Sequence, residues 1–192
     1  MFINTNYSDL EKVAADNNNE YVNAHPFPSI VFDNFFKKDI LEKILSDFPK
    51  NIKEIGNNYN NKAEKKLSLN SPEKFSVDTN NFINFLNSAP FVKFLNSLTG
   101  IKETLITDPY LIGGGLHELK NDGYLNIHAD FNLHPSMKLD RRLNILIYLN
   151  KNWLEEYGGD LELWNKNMTK CEKKITPIFN KTVIFSTTDF SY

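Results

Sequence analysis

The sequence predicts an α+β fold, a double-sheet jelly roll carrying a helical layer, and three observations carry that prediction. Apolar residues in the first hundred positions recur at helical spacing. From Ile106 the pattern changes to short strand-like segments separated by Gly, Asp, Asn and Pro clusters. Many short strands after a helical half argue for segregated α and β layers. At 192 residues the chain can bury a real core, as one domain or a core with a helical elaboration. The domain reading is a helical scaffold over 1–104 packed on a jelly-roll core over 105–192, in one structural domain.

In chain order, Leu10 and Val13 suggest a short amphipathic turn that Asn17–Asn19 ends. Pro26–Phe36 reads as a strand running into a helix. Ile40, Leu41, Ile44, Leu45 and Phe48 keep helical spacing, and Pro49 stops it, predicting a helix over Lys38–Asp47. Lys50–Ser71, rich in Asn, Lys and Glu, reads as a long solvated loop, with a substrate-covering lid as the alternative. Two helices follow, over Asn80–Asn87 and Pro90–Leu98, the second closed by Gly100. These apolar stripes are core packing.

Strand-like segments then run over Thr104–Ile112, Gly115–Lys120, Tyr124–Ala129, Leu143–Leu149, Asp160–Trp164 and Thr182–Ser186. Gly113-Gly114-Gly115 lacks a following Lys-Ser/Thr, so it reads as a bulge or corner and not a phosphate loop. Asn121-Asp122-Gly123 has the composition of a hairpin turn. Gly158-Gly159 permits a turn closed to residues with a Cβ.

Composition narrows the function classes. A hydrophobic fraction of 41% with 15 Phe is that of a globular protein. Net charge −2 and pI about 6.1 give no strong field toward nucleic acid or anionic membrane. The only arginines are Arg141 and Arg142. Cys171, the single cysteine, excludes an intrachain disulfide and fits a reducing compartment. Residues 1–20 carry no apolar signal region, and no apolar run approaches a membrane span. The expectation is a soluble cytoplasmic protein with no nucleic-acid or membrane partner; oligomeric state is not legible.

The chemistry centres on His128 and Asp130. On an extended strand, residues two apart leave the same face. An imidazole and a carboxylate converging there suit a divalent first-row metal, and one more distant His would complete a two-His-one-carboxylate triad. A lone His-x-Asp is common, so a structural pair stands beside the metal reading. Tyr148 is a core aromatic or a hydroxyl aimed into the barrel mouth. His134 belongs to the loop after the motif, and His25 is structural.

Further motifs then join the pair. Arg141–Asn150 (RRLNILIYLN), Lys151-Asn152-Trp153 and Gly158-Gly159-Asp160-Leu161 follow His-x-Asp in the order seen in iron(II)/2-oxoglutarate dioxygenases of the prolyl 4-hydroxylase alpha-subunit type. Pro177–Ser186 is similar to the strand that leads to that family's second His, and Pro26–Phe36 and Gly113–His117 resemble its opening segments. The resemblance covers roughly 26–192 and implies a double-stranded β-helix core. It implies His128 and Asp130 as ligands of Fe(II), with 2-oxoglutarate and O₂ as cosubstrates and ascorbate as an allowed addition. It makes Tyr148 a holder of the distal 2-oxoglutarate carboxylate and Asn144 a weaker candidate for that pocket. His117 lines the same pocket or is a satisfied structural His.

The family pattern also asks for a His after Thr182–Ser186 and an Arg or Lys about ten residues later. Neither is present, and Arg141 and Arg142 match an earlier strand start. The expectation is therefore a C-terminally truncated chain whose last strand or strands are missing. The implied activity is hydroxylation of a prolyl, other amino-acid or small-molecule substrate, with 2-oxoglutarate converted to succinate and CO₂. A carboxylate at Asp130 favours hydroxylation over the halogenation of related enzymes that carry a small residue there. The rival is a non-catalytic jelly-roll binding module or an inactive remnant.

Overall fold

The computed structural model describes residues 2–192. Helix α1 (Leu10–Val22) is capped by the Asp9 carboxylate, which accepts from Lys12 N at 3.0 Å, and buries Val13, Ala14 and Tyr21. The expected short turn is thus a 13-residue helix. Asparagine is a poor helix former, but tertiary contact overrides that here: Asn18 Nδ2 donates to the Leu98 carbonyl at 3.0 Å, tying the helix to its neighbour.

Strand β1 (Ser29–Asp33), helix α2 (Lys38–Ser46), the single turn α3 (Ile52–Ile55), strands β2 (Asn57–Asn60) and β3 (Glu64–Leu69), and helices α4 (Val77–Leu86) and α5 (Ala89–Thr99) complete the first half. Residues 1–104 therefore supply three strands as well as helices. The long loop expected over Lys50–Ser71 is instead a β-hairpin on α3. Its outer strand is exposed throughout, so backbone pairing and not apolar alternation builds it. α5 ends on Gly100 in the left-handed region, φ +67.

The second half adds β4 (Leu116–Glu118), β5 (Tyr124–Leu125), β6 (Leu143–Ile147), β7 (Leu161–Trp164), β8 (Cys171–Ile175) and β9 (Lys181–Ser186). Thr104–Ile112 forms no strand. Asp108 explains why: its carboxylate accepts from Tyr110 N at 2.9 Å and Ile112 N at 2.6 Å, coiling the segment around one side chain. Residues 121–123 do turn, with Gly123 N bonded to Lys120 O at 2.8 Å. However, β4 and β5 each pair with β3 and not with one another, so the turn is an excursion within one interrupted strand. β8, with Glu172, Lys173 and Lys174 charged among its five residues, carries no apolar alternation and was not anticipated.

The sheets are β1-β9-β6, β2-β3-β4 with β5 also on β3, and β7-β8. β9 lies between β1 and β6, antiparallel to both. Period-2 alternation divides its side chains. Ile184 joins Ile30, Phe32, Phe36, Phe91 and Phe94 under the helices. Val183 and Phe185 face Leu163 and Ile175 of the β7-β8 sheet, with Phe27. Sheet packed on sheet, with helices on the outer face, is the jelly-roll architecture of the α+β reading. Among the described residues no helix is long and apolar enough to cross a membrane.

Asn180 fastens the helical layer to this sheet. It is 1% exposed at φ +63, a conformation asparagine tolerates better than most residues. Its amide accepts from Phe36 N at 3.2 Å and donates to Phe36 O at 2.8 Å. Asn180→Ala leaves both buried backbone groups unpaired, and each orphan costs roughly 1–3 kcal/mol. The expected loss is about 2–4 kcal/mol, read by urea unfolding; a midpoint equal to wild type would remove Asn180 from this role.

Candidate metal centre

His128 and Asp130 lie just past β5, outside any strand and after a bend at Ile127. Their side chains nonetheless converge, with His128 Nε2 3.6 Å from Asp130 Oδ1. Two facts orient the imidazole. Its Nδ1 stands 2.7 Å from the Asn126 carbonyl, which can only accept, so Nδ1 carries the hydrogen. Nε2 is thereby left as the lone-pair atom in the neutral ring, facing the carboxylate.

Asp130 is held from its other side. Asn144 Nδ2 donates to its Oδ2 at 2.7 Å, and Arg141 Nη1 lies 3.7 Å from Oδ1. Burial pushes the Asp130 carboxyl up, but the His128 bond, the Arg141 charge and the Asn144 amide outweigh it and hold the pKa below the ordinary value. For His128 the bond to Asp130 is the largest influence and raises its pKa against partial burial. Both shifts favour the charged form of each partner.

The atoms fit a metal. Bonds of about 2.0–2.2 Å can bridge donors 3.6 Å apart, and an imidazole nitrogen with a carboxylate oxygen suits a first-row divalent ion. The fit is to two ligands: among the described residues no group of three His, Cys, Asp or Glu could hold an ion.

The other sequence candidates fall around the pair to different degrees. Asn144 sits on the inner face of β6, where Leu146 and Tyr148 follow it by alternation. Its amide touches Asp130 directly, a role that spacing alone did not show. Tyr148 packs beside Val183, Phe185 and Leu163 between the sheets. Burial, then the Asp160 charge, push its hydroxyl well above the ordinary value, so it stays protonated. His117 is on β4 opposite Ser68. Crowding protein atoms, then Lys66, hold its pKa down, and the Asp130 charge reaches it. His134 is elsewhere. It is 6% exposed, its Nδ1 accepts from Met137 N at 3.0 Å, and its Nε2 faces Asp108 at 3.3 Å, pinning two loops together.

A cavity of about 580 Å³ runs along the helix-facing side of β6, lined by Leu143, Ile145 and Ile147, and reaches Phe131 and Arg141 at the edge of the pair. The alternation that sends these residues outward sends Asn144 and Tyr148 toward the His128–Asp130 side, so the cavity meets the pair only through Phe131 and Arg141.

Asn144→Ala is expected to weaken divalent-metal binding about 10–100-fold, the effect typical of losing a hydrogen bond to a ligating carboxylate. Titration with Mn(II) measures it; an unchanged affinity would separate Asn144 from the centre.

Residues 114–192 match the family model of the 2OG-Fe(II) oxygenase superfamily. A search of curated proteins gives no match. Among solved structures, the chain is similar to a prolyl hydroxylase from Trichoplax adhaerens, determined with a hypoxia inducible factor oxygen degradation domain peptide fragment. The TM-score is 0.60 at 17% identity, over 95% of this chain and 81% of that one. The chain thus has the fold of a prolyl hydroxylase, and its second half carries the superfamily's pattern.

Proposed function

We propose that this chain, with a 2OG-Fe(II) oxygenase segment over 114–192 on a prolyl-hydroxylase fold, serves an iron(II)/2-oxoglutarate-dependent dioxygenase. The observation that carries the reading is the His128–Asp130 pair, Nε2 to Oδ1 at 3.6 Å, within the segment that matches the superfamily and with Nδ1 tethered so that Nε2 is free to ligate. His128 and Asp130 would hold Fe(II), with Asn144 and the Asn126 carbonyl fixing their orientation. Bound iron with 2-oxoglutarate and O₂ supplies the oxidising chemistry, yielding succinate, CO₂ and a hydroxylated substrate.

The chain's own part is placement. Asn144 keeps Asp130 turned toward His128. Tyr148, protonated and enclosed by the two sheets, offers a hydroxyl hydrogen to an anionic oxygen of 2-oxoglutarate, and His117 borders the same space. The solved neighbour holds a peptide, which favours a peptidyl over a free small-molecule substrate. Ascorbate as an added reductant and a cytoplasmic location are part of the proposal.

The test is succinate formation from 2-oxoglutarate by the protein supplied with Fe(II), with and without candidate peptides. Turnover that requires both iron and 2-oxoglutarate is expected. A protein that binds neither is the non-catalytic jelly-roll module of the alternative reading.

A further inference from the structure

Strand β6 is the edge of its sheet: β9 lies on one side of it, and among the described residues no strand lies on the other. The antiparallel register sets Asn144 opposite Phe185 and Leu146 opposite Val183. The flanking bonds, Thr187 N to Arg142 O and Tyr148 N to Lys181 O, both at 3.0 Å, mark the even-numbered residues as those bonded to β9. In such a ladder the alternate residues turn their backbone groups to the other edge. The N–H and C=O groups of Leu143, Ile145 and Ile147 therefore point away from β9, and among the described residues none of them has a partner.

This edge carries none of the usual protection. Charged side chains, proline or a bulge blunt the free edges of sheets, whereas β6 reads LNILI and keeps an unbroken register. Its burial is also incomplete for that composition. Every residue of β6 is half-buried, while the four central residues of β9, flanked on both sides, are buried. The cavity of about 580 Å³ follows this strand and is closed by other segments, Leu105, Leu116 and Leu139 among them. Walls on several sides leave room for one extended chain and not for the sheet of a second jelly roll.

The edge describes its occupant. A row of alternating donors and acceptors is matched by an extended backbone, whose side chains at every second position then enter the apolar space. Charge adds one more feature. At the start of β6, Arg141 faces Asp130 at 3.7 Å and Arg142 donates to Glu103 at 3.2 Å. Asp140 also lines the cavity, and among the described residues its carboxylate has no ion-pair partner, so a basic residue suits that end. Residues 187–192 do not supply the strand: they cross to β7, where Tyr192 O accepts from Trp164 N at 2.7 Å.

We infer that the free edge of β6 is a docking site for an extended strand of a partner polypeptide, apolar at alternate positions and basic at the end beside Asp140. The strand extends β1-β9-β6 by one member through main-chain bonds and seats its apolar side chains in the cavity. That space is on the helix side of β6, away from Asn144 and Tyr148, so the partner is not the substrate of the His128–Asp130 centre. The inference does not rest on the metal or cosubstrate reading.

Amide hydrogen exchange of the full chain, followed by NMR, tests this with a short blocked peptide in which valine alternates with threonine between terminal lysines. Saturating peptide is expected to slow exchange at Leu143, Ile145 and Ile147 about tenfold or more. Asn144 and Leu146, already bonded to β9, should not change. The same peptide N-methylated at every residue keeps its side chains but loses its donors and cannot pair closely, so it should protect nothing. Equal protection by the two peptides would mean that apolar filling alone is at work, and would overturn the inference. So would protection spread evenly over Leu143–Ile147, or no protection by either peptide. Protection that appears without peptide and rises with protein concentration would assign the edge to a second copy of this chain, and would overturn it as well.

Discussion

His128→Ala is expected to abolish specific Mn(II) or Fe(II) binding and, with it, succinate formation. The imidazole supplies one of the two donors that converge at 3.6 Å, and its tether to the Asn126 carbonyl at 2.7 Å presents Nε2 in the ligating state. Loss of a supporting hydrogen bond already costs about 10–100-fold in metal affinity; loss of the donor itself should exceed that. Stability should barely change. The His128 side chain is 44% exposed, and an ion pair so open to water contributes at most about 1 kcal/mol. Mn(II) titration followed by paramagnetic resonance, with a melting curve as control, reads both quantities. A variant that binds Mn(II) as tightly as wild type would remove His128 from the centre, whatever its fold.

The convergence of His128 and Asp130 was legible because its signal is chemical and local. Two donor residues at i and i+2 are close enough to converge without a regular strand, so the side chains meet even though the expected strand over Tyr124–Ala129 stops at Leu125. Asn144 was half legible. Alternation along β6 places it on the inner face, but contact with Asp130, fourteen residues back, depends on how the intervening loop folds. Arg141 was less legible still: its position at a strand start says nothing about a guanidinium laid on Phe131.

The fold shows the same division. Helices α2, α4 and α5 and strand β9 carry dense apolar patterns and were readable within a few residues. The β2–β3 hairpin was not, because its exposed strand Asn57–Asn60 is held by backbone pairing to β3 and leaves no alternation to find. α1 was read short for a related reason: Asn18 stabilises it through a partner eighty residues away. Thr104–Ile112 failed in the opposite sense, since strand-like composition gave way to the two backbone bonds gathered by Asp108.

Gly115→Ala is expected to produce the largest loss of stability from a single methyl group. Gly115 has φ +106, and a Cβ there would stand 2.2 Å from the Leu69 carbonyl oxygen and 3.0 Å from Asn70 Cα. Both obstacles are backbone, so no side-chain rotation relieves them. The next residue, Leu116, is paired with Leu69, so easing the overlap means pulling β4 off β3. The backbone conformation alone costs about 1–3 kcal/mol for a residue with a Cβ. With the overlap added, a loss of about 3 kcal/mol or more follows, or a fall of roughly 6–12 °C in Tm for a chain of this size. Gly114→Ala is the matched control, because its Cβ would meet nothing nearer than 3.7 Å. The damage should reach the site as well: β4 carries His117, and Gly113 shapes the stack of Phe131 and Arg141. Gly115→Ala should therefore weaken ligand binding at temperatures where it is still folded, while Gly114→Ala leaves it intact. Equal melting temperatures for the two variants would show that the β3–β4 pairing is not the rigid support assumed for this wall of the centre.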